Sequence, residues 1–187
     1  MRAVGESGRD VAPHGDDVGI GGNAHEATIA LVLGDTLRLV MRIAVAADER
    51  TGIADAVVQE LRRRGHEPLP HGALRDGDRA DWAWCAEAAA RDVADGRAEQ
   101  AVVCCWTGTG ASIAANKVPG VRAALCADAP TAAGARRWND ANVLALSLRA
   151  TSQAELEEIL DAWFATAPSS EPDDVANVGH VGEIRGG

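Results

Sequence analysis

From Met41 to Thr166, short runs of small and β-branched apolar residues alternate with helical runs, and this alternation leaves few architectures open. Arg42-Ile-Ala-Val-Ala-Ala47 reads as a first strand. Ile53, Val57, Val58 and Leu61 then recur at helical spacing, with Gly65 closing the helix. A weak strand at His66–Leu69 precedes an Ala-rich helix at Asp81–Asp95, which Gly96 ends. A strong strand at Gln100–Cys105 leads through a glycine loop to a helix near Ser112–Lys117. Val121–Cys126 reads as the fourth strand, Pro130–Arg137 as a helix and Asn142–Leu146 as the fifth strand. The last helix, Ser152–Thr166, places Leu156, Ile159, Leu160 and Trp163 on one face, with Ser152 as N-cap. Parallel strands need crossover connections, so five strands separated by helices predict an α/β chain: a three-layer, Rossmann-like fold with a five-stranded parallel sheet and helices on both faces. Ligands of such sheets lie beyond the carboxyl ends of the strands.

At 187 residues the chain suits one well-filled core, predicted over residues 41–166. Residues 1–40, rich in Gly and Asp and without periodicity, are expected to be a disordered extension, with Met41 a candidate natural start. Residues 167–187, with Glu171, Asp173, Asp174 and several glycines, are expected to be a loose acidic tail. A net charge of −10 argues against a nucleic-acid surface, because phosphate backbones are held by clustered Lys and Arg. No apolar run approaches the roughly 18 residues that span a bilayer, so no membrane association is expected. Ala27–Leu33 lacks the basic flank and cleavage pattern of a signal peptide. Cys85, Cys104, Cys105 and Cys126 show no CxxC spacing and lie in apolar or Ala-rich runs. They are expected to be buried free thiols of a cytoplasmic protein. His14, His25, His71 and His180 lack metal-ligand spacing, and no metal site is expected.

The segment that carries chemistry is Ala101-Val-Val-Cys-Cys-Trp-Thr-Gly-Thr-Gly-Ala-Ser-Ile-Ala-Ala-Asn-Lys117. It sets Cys105 at a strand end, followed by Gly108 and Gly110 and then a helix start. Glycines let the backbone turn with its amides pointing inward, and a following helix adds its positive end, so an anion or a developing oxyanion is stabilised there. Such a field also favours a thiolate, which makes Cys105 a candidate general base. Strand alternation sends Cys104 and Cys105 to opposite faces, against a vicinal redox pair. A buried cysteine in a strand can equally be inert packing. By itself, a strand, a Gly-x-Gly loop and a helix indicate only generic phosphate binding.

Three blocks taken together are more specific. Cys105-x-Thr107-Gly108-x-Gly110-x-Ser112-Ile-Ala-Ala-Asn-Lys117, then Gly120-Val-Arg-Ala-Ala-Leu-Cys126, then Asn139-Asp-Ala-Asn-Val-Leu-Ala-Leu146 closely resemble the ribose-5-phosphate isomerase B family, which includes the galactose-6-phosphate isomerase subunits. The resemblance covers the whole predicted domain. It implies an aldose–ketose isomerase that acts on a tetrose, pentose or hexose phosphate, such as ribose 5-phosphate, through a cis-enediolate without any cofactor. It implies Cys105 as the base, since the position of the alternative glutamate is Ala111 here. Thr107 and the amides from Trp106 through Gly108 and Thr109 to Gly110 match the loop that steadies the enediolate oxygens. Asp48, followed by Glu49, matches an aspartate that holds sugar hydroxyls, and Asn139 and Arg149 match substrate contacts. The resemblance further implies a homodimer or tetramer with sites shared between subunits.

Four departures qualify this match. Glu49 stands where the family has His, and Asp78-Arg-Ala-Asp-Trp82 replaces Asp-Tyr-Pro-Asp-Tyr. Trp138 occupies the place of a histidine that helps open the sugar ring, and an indole cannot transfer that proton. The terminal segment that brings arginines to the phosphate is acidic here and holds only Arg185. These changes are compatible with an open-chain four-carbon sugar phosphate, with a sugar that lacks phosphate, or with a non-catalytic sugar-phosphate binder. Trp82, Trp106 and Trp138 offer stacking faces for a sugar that lacks phosphate or carries another acidic group.

Overall fold

The computed structural model describes residues 40–184, so nearly all of the expected N-terminal extension, together with Arg185, lies outside the described residues. Five strands, β1 (Arg42–Ala47), β2 (Glu67–Gly72), β3 (Gln100–Cys105), β4 (Ala123–Leu125) and β5 (Val143–Ser147), form one parallel sheet in the order β2-β1-β3-β5-β4. Helices α1 (Ala54–Arg63), α2 (Trp82–Ala94), α3 (Thr109–Ala115), α4 (Ala129–Asn139) and α5 (Gln153–Ala165) connect the strands or follow the last of them, and α6 (Pro172–Glu183) ends the described chain.

The period of two in each strand sorts side chains between two cores. Ile43, Val45, Val102, Cys104, Leu144 and Leu146 pack against Val57 and Leu61 of α1, Ala132 of α4 and Leu156, Ile159, Leu160 and Trp163 of α5. Ala44, Ala46, Val103, Cys105 and Ala145 face α2 and α3, whose contributions include Ala86, Ala89, Ala90, Ala111 and Ala115. Burial on both faces explains why the strands read as continuous apolar runs. The second core is built largely of alanine, so its helices lie close to the sheet and carry Cys85 of α2 into it.

Both sheet borders are partly blocked by local chemistry. The Glu67 amide donates to Met41, which orients odd-numbered residues of β2 toward β1. Pro68 and Pro70 therefore stand where amide donors would face outward, and proline has none. On the opposite border, Asn116 accepts from the Ala123 amide and donates to the Ala123 carbonyl, so its side chain occupies both outward groups of that residue.

Two expectations need correction. The chain beyond residue 166 is not uniformly loose, because residues 172–183 form α6. Pro172 is preorganised for a first helical turn, and Asp173 and Asp174 favour the positive helix end. The helix buries no residue, and its connection is anchored by the Ser169 amide, which donates to the Arg137 carbonyl. The helix after β3 starts at Thr109 rather than Ser112, so Gly110 belongs to its first turn. Gly108 alone is the left-handed residue, at φ 76°, that redirects the chain.

Candidate active site

β1, β3 and β5 end side by side, and the segments that follow them form one surface. The Leu148 amide donates to the Cys105 carbonyl at 3.0 Å, and the Arg149 amide to the Trp106 carbonyl at 3.2 Å. Ser147 Oγ also donates to Trp106 O at 2.9 Å. These bonds fasten the segment after β5 to the segment after β3, and they set Arg149 beside the glycine loop. Arg149 is exposed and forms no ion pair with the described residues.

Cys105 is 5% exposed at the end of β3, and its Sγ accepts the Ala111 amide at 3.4 Å. The chain between them folds back through a bond from the Gly108 amide to the Cys105 carbonyl at 3.1 Å. Thr107 Oγ1 and Thr109 Oγ1 lie 2.7 Å apart, which pins the two hydroxyls across the turn. Among the described residues, the amides of Thr107, Thr109 and Gly110 donate to no carbonyl or side chain. The sulfur thus has one amide directed at it, and the turn that follows leaves three backbone donors without partners among the described residues.

Asp48 follows β1 and stands over the same surface. Its Oδ1 is buried without a hydrogen-bond partner. Burial raises the carboxyl above the ordinary aspartate range; the amides of Asp48, Glu49 and Trp106 pull it partly back, while the Glu49 charge pushes it up. Two further residues pack at this surface: Cys85, read from the sequence only as a buried thiol, and Trp82, read as a stacking face. Cys85 is held neutral by burial first and then by the charge of Asp48 and by Cys105, with its thiol pushed up to about 12. The Trp82 ring lies against Gly110 so closely that a Cβ on that glycine would stand 2.9 Å from it. No local pattern signals either contact, because each joins segments distant in sequence.

Asp48, Glu49, Cys105, Trp106, Thr107, Gly108, Thr109, Gly110 and Arg149 therefore share the carboxyl end of the sheet. Trp138 and Asn139 do not join them. They end α4, which runs back to the amino end of β5, and Arg122 donates to the Asn139 and Asp140 carbonyls there. The five residues of β5, roughly 16 Å of strand, separate the two groups. Trp138 and Asn139 line a cavity of about 340 Å³ with Arg122, Asn177, Val178 and Val181, between α4 and α6.

Comparison with known proteins agrees with this arrangement. A model of the ribose/galactose isomerase family matches residues 43–179. Ribose-5-phosphate isomerase B of Mycobacterium tuberculosis is 41% identical over 133 residues, covering 70% of this chain and 81% of the relative. D-erythrulose-4-phosphate isomerase of Pectobacterium atrosepticum is 31% identical over 67% of this chain and 83% of its own length. The structure of the type B ribose 5-phosphate isomerase of Trypanosoma brucei superposes with a TM-score of 0.70 at 37% identity, over 77% of this chain and 98% of that one. By fold, by the family model and by these identities, the chain belongs to the ribose/galactose isomerase family of aldose–ketose isomerases.

Proposed function

We propose that this chain interconverts the aldose and ketose forms of a small, open-chain sugar phosphate, with Cys105 as the base. The observation that carries the reading is the Cys105 sulfur at a strand end, with the Ala111 amide directed at it and unsatisfied amides beside it. In the aldose direction the thiolate removes the proton from C2, and the electrons of that bond form a C1–C2 double bond as negative charge moves to the carbonyl oxygen. The amides of Thr107, Thr109 and Gly110 and the threonine hydroxyls stabilise that oxygen; a proton then passes from the C2 hydroxyl to O1, and the thiol returns its proton to C1 as the C2 carbonyl forms. The unpartnered oxygen of Asp48 accepts from a sugar hydroxyl, and Arg149 faces the anionic end.

A four-carbon sugar 4-phosphate fits this apparatus best. Its terminal hydroxyl is esterified, so it cannot close a furanose ring and needs no ring-opening acid, which Trp138 cannot supply. The relative named for D-erythrulose 4-phosphate supports that choice. The distance between Trp138–Asn139 and Cys105 supports a homodimer in which each copy completes the other's site, as closed two-fold assemblies commonly do. Turnover in deuterium oxide tests the reading. Deuterium is expected at C1 or C2 of a tetrose phosphate, with more than about a thousand-fold loss of exchange in Cys105→Ala while binding persists. Binding without exchange by the wild-type protein would instead identify a non-catalytic sugar-phosphate binder, and rapid turnover of ribose 5-phosphate would refute the four-carbon preference.

A further inference from the structure

Four tryptophans of the described chain are about half exposed, and their settings differ. Trp84 is covered by Arg79, whose guanidinium carbon lies 3.4 Å from the ring centroid. Trp138 folds back on Gly134 of its own helix, at the amino end of the sheet. Trp106 is 53% exposed directly after Cys105. Trp82 is 46% exposed at the start of α2, and its six-membered ring rests on the Cα of Gly110. Among the described residues no cation covers it, and the backbone it touches belongs to the helix turn whose Ala111 amide is directed at the Cys105 sulfur.

Folding alone does not account for this placement. An indole of this size is among the largest sources of apolar burial, and here nearly half of it remains open to water. Gly110 has no left-handed φ, so its lack of a side chain is not required by the turn. A Cβ there would meet Trp82 at 2.9, 3.1 and 3.3 Å. Glycine at 110 thus keeps an aromatic ring in contact with the reaction loop. An open-chain sugar bound at that loop presents alternating C–H bonds, and these pack on an aromatic face while the hydroxyls remain free for Asp48 and the loop amides.

We propose that Trp82 is a specificity-determining residue whose indole stacks on the C–H face of the substrate's carbon chain and selects its length. The inference rests on the sugar-phosphate reading above and adds the group that discriminates among such sugars.

The test uses phosphorylated aldonic acids of four, five and six carbons, which carry the substrate skeleton and cannot isomerise, titrated calorimetrically into the full chain. Wild-type protein, Trp82→Phe and Trp82→Leu are compared. The leucine variant preserves apolar packing on Gly110 without an aromatic face. Wild type is expected to prefer one length, Trp82→Phe to retain that preference, and Trp82→Leu to bind the preferred length about ten-fold more weakly, with the three lengths then within about two-fold of one another. Deuterium exchange at C1 or C2, measured in parallel, is expected to keep its kcat within about three-fold in Trp82→Leu while KM rises about ten-fold. An unchanged length profile in a folded Trp82→Leu protein that still exchanges deuterium overturns the role of Trp82 and leaves the isomerase reading intact. Should Trp82→Leu fail to fold, a Trp82→Phe protein that loses the length preference overturns it equally. Absence of exchange in the wild type with every sugar phosphate removes the reading on which the inference rests, and the inference with it.

Discussion

Gly108 shows how tightly single positions are constrained around the sulfur. Its φ of 76° disfavours any L side chain, and a Cβ would stand 2.5 Å from Leu125 Cδ1 and 2.9 Å from the Leu146 carbonyl carbon. Gly108→Ala is expected to lower the unfolding free energy by about 2 kcal/mol, read from urea melts, and to reduce turnover more than binding. Asp48 has the opposite signature. Its carboxyl titrates above the ordinary range because of burial, so from about pH 4 upward the folded chain holds more protons than the unfolded one, and stability falls as pH rises through that window. Asp48→Asn is expected to flatten this slope and raise the urea midpoint at neutral pH while turnover drops, the usual opposition between stability and a working polar group. Cys105, Thr107, Gly108 and Gly110 could be singled out from the sequence because they share one short segment and each has a distinct chemical reason for its place, and the fold sets that segment at the carboxyl end of the sheet. The contact of Trp82 with Gly110 and the approach of Cys85 to Asp48 could not be read that way, because tertiary packing alone brings α2 onto the loop.

Among elements, α5 is the most fully written into the sequence. Ser152 Oγ accepts the Glu155 amide at 3.3 Å, and Glu155 Oε2 accepts the Ser152 amide at 2.7 Å, a reciprocal cap beneath a fully apolar stripe. Ser152→Ala is expected to cost about 1 kcal/mol, seen as a shift in the urea midpoint without a change in m-value. α6 escaped notice because Gly179 and Gly182 interrupt the run of Val175, Val178, Val181 and Ile184, and glycine is a poor helix former. Nothing lies within 4 Å of a Cβ built at Gly179, so Gly179→Ala is expected to strengthen α6 by up to about 1 kcal/mol, measured as slower amide exchange across residues 172–183. The start of α3 was misplaced for a related reason. Two closely spaced glycines look like a loop, yet only Gly108 requires the freedom; Gly110 is small because an aromatic ring sits on it.

For the molecule as a whole, the alternation of strands and helices specified the layers, but sequence order does not say at which end of a sheet a residue lies. Asn139 and Cys105 belong to the same set of motifs along the chain and to opposite ends of the sheet in space. Under the shared-site reading, mixing inactive Cys105→Ala and Asn139→Ala proteins after dissociation is expected to restore about a quarter of wild-type activity, because half the re-formed pairs are mixed and each contains one intact site. No recovery at any mixing ratio would mean that each chain works alone. The sheet borders constrain how such a pair can meet. With Pro68 and Pro70 on one side and Asn116 covering Ala123 on the other, strand-to-strand extension lacks a run of free backbone partners in either direction. Under the shared-site reading, copies of this chain are therefore expected to meet through side chains on helices and loops rather than strand to strand. The same two stoppers leave neither border of the described sheet a ready template for cross-β growth.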